Sequence, residues 1–352
     1  MSDGKIGLGV IGVSAQNMGS TMFLLSDEPD LRYSMEAICA NNEEAIQALA
    51  REHEVPFATT DYHALVEHPQ VDVVAVYSPD GLHADHCLAA LEAGKHVICT
   101  KPMVTSLAQA KAIVAAVEKS GCLFLLGQTM RFDRQFGVLR KLMEDGDLGD
   151  LMAAEASYNH DMRPVYDTTP WRLNMPQDLM FGGVTHPVDI LRSFMGDVSE
   201  VHCYSAKGKL TPAFPQDNLF FLNLKFEGGA IAQVRGLYDV VEPPMPMMQV
   251  TLYGTKGTAL AEFTDNAPGK IVYSIDGASE PTVIHFEAEK DRSFYGHGAT
   301  VIRYMRHFQE CMDKGTQPSP NEIDGARAVS VAHSAWESSR TGKAQPVFNA
   351  FR

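Results

Sequence analysis

Apolar positions in the first third of the chain come as short, nearly continuous runs. Lys5–Gly12, Ser34–Cys39, Val71–Tyr77, His96–Thr100 and Cys122–Gly127 read as strands covered on both faces, as in a parallel sheet. Between these runs the period changes to that of a helix. Glu43–Arg51 sets Ile46, Leu49 and Ala50 on one stripe, and residues 83–92 set Ala84, Leu88 and Leu91 on another, with Gly94 as its stop. A third helix covers Leu107–Lys119 and stops at Gly121, and the small-residue stretch Val13–Gly19 leads into a helical Thr21–Leu25. Strand and helix alternate through residue 128, which predicts a doubly wound parallel α/β sheet.

After residue 128 strands follow one another without helices between them: Leu151–His160, Leu219–Phe226, Ala230–Tyr238, Gln249–Tyr253, Thr258–Phe263, Ile271–Ile275 and Val283–Phe286. Gly228-Gly229 and Thr255–Gly257 supply turns. This pattern predicts an α+β domain with a large, mainly antiparallel open sheet. Helices over Thr300–Met312 and Ile323–Arg340 close the chain. The expected division is 1–128 and 129–352, with the terminal helices able to pack back on the first part. The length of 352 residues agrees, at roughly 150 residues per domain.

Charge narrows the partners. The formal net charge is −15, and no basic run interrupts the acidity. Nucleic acid and an anionic membrane surface are therefore poor partners. Cys39, Cys87, Cys99, Cys122, Cys203 and Cys311 are scattered, with no C-x-x-C pair, and most lie in apolar runs. They read as buried thiols of a reducing compartment. No signal peptide and no membrane-length apolar run is seen, so the expected location is cytoplasmic. The histidines show no metal-ligand spacing, and no metal is expected.

Ligands of open α/β sheets bind outside the carboxyl ends of the strands, which directs attention to four loops. The first holds Gly12, Ser14, Gln16, Asn17 and Met18, where a dinucleotide fold places its phosphates. Ser14 stands at the second glycine of G-x-G-x-x-G, and similar turns also occur with no nucleotide. The second strand ends in Ala40-Asn41, with no carboxylate to hold a ribose hydroxyl or repel a 2′-phosphate, so NAD and NADP both stay open. The third is Ser78-Pro79. The fourth is Lys101-Pro102, where proline biases the lysine away from the α region. Further on, Gly182–Thr185 precedes a helix over Pro187–Phe194, with Thr185 or His186 at its cap. At a helix amino terminus the macrodipole would keep the imidazole neutral, as a general base requires. Asp189 would add favourable charge in the first turn. Tyr158–Arg163 (with His160 and Asp161) and Trp171-Arg172 are rich in hydrogen-bonding groups and aromatic faces suited to sugars.

The joint pattern resembles a known family. Thr60-Asp61-Tyr62, Pro69-Gln70-Val71-Asp72-Val73-Val74, Ser78-Pro79-x-x-Leu82-His83, Ala90–Val97 and Lys101-Pro102 stand in the order and spacing of the glucose–fructose oxidoreductase / inositol dehydrogenase (Gfo/Idh/MocA) family. Met130-Arg131-Phe132, Gly146–Gly149, Trp171-Arg172, Gly182-Gly183-x-x-His186-Pro187-x-Asp189, Gly254–Thr258 and Trp336–Ser339 continue the likeness. It implies a Rossmann-type first domain and an NAD(P)-dependent oxidoreductase moving hydride between nicotinamide and a sugar, polyol or sugar acid. Lys101 and His186 match the family's catalytic lysine and histidine. Cofactor contacts would come from Gly12, Ser14, Gln16, Asn17, Met18, Ala40, Asn41, Ser78, Pro79, His83, Thr100, Lys101, Pro102 and Gln128. Substrate contacts would come from Lys101, Tyr158, His160, Asp161, Arg163, Trp171, Arg172, His186 and Asp189. The family usually has aspartate where this chain has Gly182, and glutamate where it has Thr100. Asp178 or Asp161, or a carboxylate on the substrate, would replace the former. An NAD-dependent glycosidase without net redox is the alternative activity, and a non-catalytic sugar-pathway regulator a further one. The resemblance also implies a homodimer or homotetramer.

Overall fold

The computed structural model describes residues 4–14, 17–174, 177–242, 244–263, 269–287 and 298–351. It divides into two compact units, Met1–Phe132 with Glu289–Ala326, and Asp133–Ala288 with Arg327–Arg352.

The first unit is built on six parallel strands: β1 (Ile6–Ile11), β2 (Tyr33–Cys39), β3 (Phe57–Thr59), β4 (Val73–Val76), β5 (His96–Thr100) and β6 (Phe124–Gly127). Their order is β3-β2-β1-β4-β5-β6, a doubly wound sheet whose winding reverses between β1 and β4. Every residue of β1 and β4 is buried, as the continuous apolar runs require. Helix ends obey local chemistry. The Asn42 side chain accepts from Ala45 N, Ser106 Oγ accepts from Gln109 N at 3.2 Å, and left-handed Gly121 ends the helix Leu107–Ser120. The helix expected over Thr21–Leu25 is instead a ten-residue 3₁₀ segment, Met18–Asp27. Ser20, Thr21 and Ser26 each donate a hydroxyl hydrogen bond to the carbonyl three residues back, which favours the tighter winding.

A late segment completes this unit's core. In the helix Gly298–Lys314, Val301, Tyr304, Met305 and Phe308 are buried with Leu8, Val10, Ile38 and Leu125 of the sheet. Polar ties secure it: Gln309 Oε1 accepts from Arg32 N at 2.8 Å, and Tyr33 donates to Met305 O at 2.9 Å.

The second unit carries a sheet of β7 (Leu151–Asn159), β8 (Val198–Ala206), β9 (Leu219–Phe226), β10 (Ile231–Leu237), β11 (Met248–Gly254), β12 (Gly257–Phe263), β13 (Lys270–Ile275), β14 (Thr282–His285) and β15 (Gln345–Pro346). The order is β14-β13-β12-β11-β7-β10-β9-β8-β15. β7 and β10 pair parallel at its centre, and the other pairs are antiparallel. Alternation sets the faces: Phe220, Leu222 and Leu224 point inward, and Phe221, Asn223 and Lys225 point outward. The helix Thr185–Met195 packs on the inner face against β7. β8 escapes a reading by period, because its register shifts between Val198 and Glu200 and breaks the alternation. The helix Arg134–Glu144 was likewise not expected.

Phe308 is fully buried in the first unit's core. Phe308→Ala should cost about 3–5 kcal/mol, read as a lower denaturant midpoint. A midpoint equal to that of the parent chain would show that this helix does not support the sheet.

Candidate active site

The carboxyl edge of the parallel sheet is assembled from residues far apart in sequence. Gly12 follows β1, at φ +85, and a Cβ there would lie 2.4 Å from Ser78 N. The loops after β1 and β4 can approach this closely only over a glycine. Asn17 then clamps the turn: its Nδ2 donates to Gly12 O at 2.6 Å, and its Oδ1 accepts from Ser14 N at 3.1 Å. The clamp shapes a loop that lacks the second glycine of the usual pattern. Met18 opens the 3₁₀ segment, and Gln16 lies outside the described residues. Ala40 is half-buried and Asn41 exposed beyond β2, while Asn42 is occupied as a helix cap.

Ser78 is buried, with its Oγ 2.8 Å from His86 Nδ1, and Pro79 follows it. Burial, then the neighbouring His83, pushes His86 down to about 4, so it stays neutral near pH 7. His83, expected at the cofactor, is fully buried, with both ring nitrogens on main-chain carbonyls. Thr100 ends β5 opposite Gly127, and the cis peptide Lys101-Pro102 follows. Gln128 is buried, and its Oε1 has no hydrogen-bond partner among the described residues. A glycine cradle at the switch point and a buried acceptor at the same edge fit a dinucleotide.

The His186 cluster belongs to the second unit. His186 does not cap a helix. A π-helical turn, Met180–Val184, runs directly into the helix Thr185–Met195, so His186 and Asp189 lie inside a continuous helical run. Neither residue therefore stands at the helix amino terminus where the sequence placed it. Pro187 has no N–H to donate, and a widened turn through Gly182-Gly183 accommodates it. His186 and Asp189 are both buried. The Tyr158 ring stands edge-on to His186 at 5.9 Å between centroids, to His160 at 6.0 Å and to Tyr238 at 5.1 Å. Tyr238 was not singled out from the sequence, although its inward register was visible. Its hydroxyl sits where a Cβ at Gly183 would come within 2.4 Å, and burial holds its ionisation well above the usual range.

Both candidate replacements for a carboxylate at position 182 have partners of their own. Asp161 binds Arg163 with both oxygens, with Nε to Oδ1 at 2.8 Å, and the guanidinium holds it down to about 2. Asp178 accepts from Trp336 Nε1 at 2.9 Å and from Met180 N at 2.9 Å. The space belongs to Gln177, whose side-chain amide would lie 2.6 Å from a Cβ at Gly182. Its Oε1 accepts from Arg172 Nη1 at 3.1 Å. A neutral amide tied to a guanidinium thus stands beside Gly182. No sequence pattern singles Gln177 out, because it acts by filling space. The side chain of Trp171 lies outside the described residues.

Residues 6–128 match the model of an oxidoreductase family with an NAD-binding Rossmann fold, and residues 136–260 match the GFO/IDH/MocA C-terminal domain. The chain is 25% identical over 351 residues to the myo-inositol 2-dehydrogenase of Thermotoga maritima, covering 96% of each chain. It is 26% identical over 349 residues to the levoglucosan dehydrogenase of Pseudarthrobacter phenanthrenivorans, covering 85% of each. Among solved structures, a levoglucosan dehydrogenase in complex with NADH superposes with a TM-score of 0.86 at 20% identity, covering 98% of this chain and 99% of that one.

Gly182→Ala should push the Gln177 amide off Arg172 and raise KM for substrate, with the affinity for NADH unchanged. Replacing Gln177 by Ala in the same chain should restore KM toward that of Gln177→Ala alone. Independent, additive effects on KM would disprove the coupling.

Proposed function

The chain belongs to the Gfo/Idh/MocA family of oxidoreductases, and from that membership we propose that Lys101 and His186 act on the reacting oxygen of its substrate. The protein is an NAD-dependent oxidoreductase of sugar-like substrates, acting on a hydroxyl group. A bound nicotinamide would supply the acceptor, or the donor, of the hydride exchanged with the carbinol carbon. His186 takes the proton of the reacting hydroxyl. Lys101 donates a hydrogen bond to the same oxygen and offsets its developing negative charge. Gly12, Ser14 and Asn17 would hold the dinucleotide's phosphates, and Asn41 its adenosine ribose. A neutral side chain there admits NADP as well as NAD. Tyr158, His160 and Arg172 would contact substrate hydroxyls or a carboxylate. The observation that carries this reading is the single sheet edge that gathers Gly12, Ser78, Lys101 and Gln128.

The outward face of the second sheet supports a homo-oligomer. Tyr204 and Phe221 are cross-strand neighbours, 68% and 47% exposed. Such a patch fits a second copy of the same face. Six buried free thiols agree with a cytoplasmic home, and no helix among the described residues is long and apolar enough to cross a membrane.

Fluorescence titration with NADH and NADPH should show tight binding of at least one, and no binding of either would overturn the reading. A panel of myo-inositol, levoglucosan and 1,5-anhydro-D-fructose, substrates named for relatives, then supplies a turnover assay. Lys101→Ala and His186→Ala should each abolish turnover while NADH binding persists. Undiminished turnover in either variant removes that residue from the mechanism. By sedimentation, Tyr204→Lys with Phe221→Lys should convert an oligomer into a monomer, and an unchanged sedimentation coefficient would clear this face of any role in assembly.

A further inference from the structure

We propose that His83 is a positioning residue for Lys101, tying the main chain just after the lysine to the main chain at the end of β4. The inference rests on Lys101 acting in the chemistry as set out above. His83 opens the helix His83–Glu92 and is 0% exposed. Its Nδ1 lies 2.7 Å from Pro102 O, and its Nε2 lies 2.8 Å from Ser78 O. Both partners are carbonyl oxygens, which only accept. A histidine ring can present an N–H at either nitrogen, toward one carbonyl or the other. No side chain of similar size without nitrogen could bridge the two loops.

The brace falls where the lysine most needs it. On the amino side, Lys101 is fixed by the ladder, since Thr100 pairs with Gly127, and a Cβ at Gly127 would come within 3.1 Å of Thr100 Cα. On the carboxyl side comes Pro102, which has no N–H and can anchor the main chain only through its carbonyl. That carbonyl is the one His83 holds. The other end of the brace is fixed in turn: Ser78 is buried, its Oγ pairs with His86 Nδ1, and its backbone N is the atom against which Gly12 closes. The Tyr62 ring stands edge-on to His86 at 4.4 Å. A run of contacts therefore links the nucleotide loop, the end of β4 and the lysine. A lysine side chain has four rotatable bonds, so its ammonium can be preorganised only if the Cα that carries it is held. A misplacement on the order of 1 Å costs about 100-fold in rate.

With full buried enclosure and both nitrogens engaged, His83 acts through the loop it holds and not by touching the cofactor. The test compares His83→Ala with the parent full-length enzyme on the panel substrate turned over fastest, with NADH affinity measured separately by fluorescence. The expected result is a kcat lower by about 100-fold, with KM and NADH affinity little changed. Hydrogen exchange of the peptide following Thr100 should quicken in the same variant. Added imidazole should restore kcat saturably, and 1-methylimidazole, which cannot donate from both nitrogens, should restore much less. Unchanged kcat together with unchanged exchange would overturn the proposal. So would a loss of NADH affinity that accounts for the whole rate loss, since that would make His83 a cofactor contact. If His83→Ala does not fold, His83→Gln carries the same comparison: its amide reaches one carbonyl, and kcat should fall while NADH affinity holds. Parent-like kcat in that variant overturns the proposal. Failure of the underlying reading has its own signature, because full turnover by Lys101→Ala would discount the lysine whatever His83 does.

Discussion

A parallel sheet has one productive edge. Every strand of the first unit points the same way, so each carboxyl end, and each loop able to leave the ladder for chemistry, is delivered to the same side. Residues as distant as Gly12, Ser78, Lys101 and Gln128 are collected by that constraint. The collection depends on small residues where loops and strands crowd. A Cβ at Gly7 would come within 1.7 Å of Gln70 O, and one at Gly12 would press on Ser78. Without these two approaches the crossover loops would stand further from the sheet, and the edge would lose its shape.

Much of this was legible in the residue pattern because buried parallel strands leave an unambiguous trace. β1, β4 and β5 are short apolar runs bounded by turn residues, and Lys101 is conspicuous because a proline follows it at a strand's end. The parts that could not be read share a physical cause: they depend on contacts that local period does not encode. Asn17 clamps the nucleotide loop with an ordinary side chain. Gln177 matters for the space it fills. The 3₁₀ segment after β1 is selected by hydroxyls bonding backward, and β8 loses its alternation to a register shift. The pattern marks His186 as a candidate but not its place in the helix, since a π turn through two glycines resembles a loop in sequence.

The neighbourhood of Gly182 shows how charge can be rearranged without moving the backbone. With the Gln177 amide in place and Arg172 bound to it, the local groups are a neutral dipole and a cation. The nearby carboxylates are committed elsewhere, Asp161 to Arg163 and Asp178 to the Trp336 indole.

The helix Gly298–Lys314 closes a core that begins at Ile6. A ribosome makes the chain from one end, so the parallel sheet emerges with an apolar face uncovered and stays so while strands β7 to β14 are synthesised. The first sheet must thus wait for a helix that is made after most of the second unit. During that interval its exposed surface depends on the growing chain, or on chaperones, for protection against misassociation.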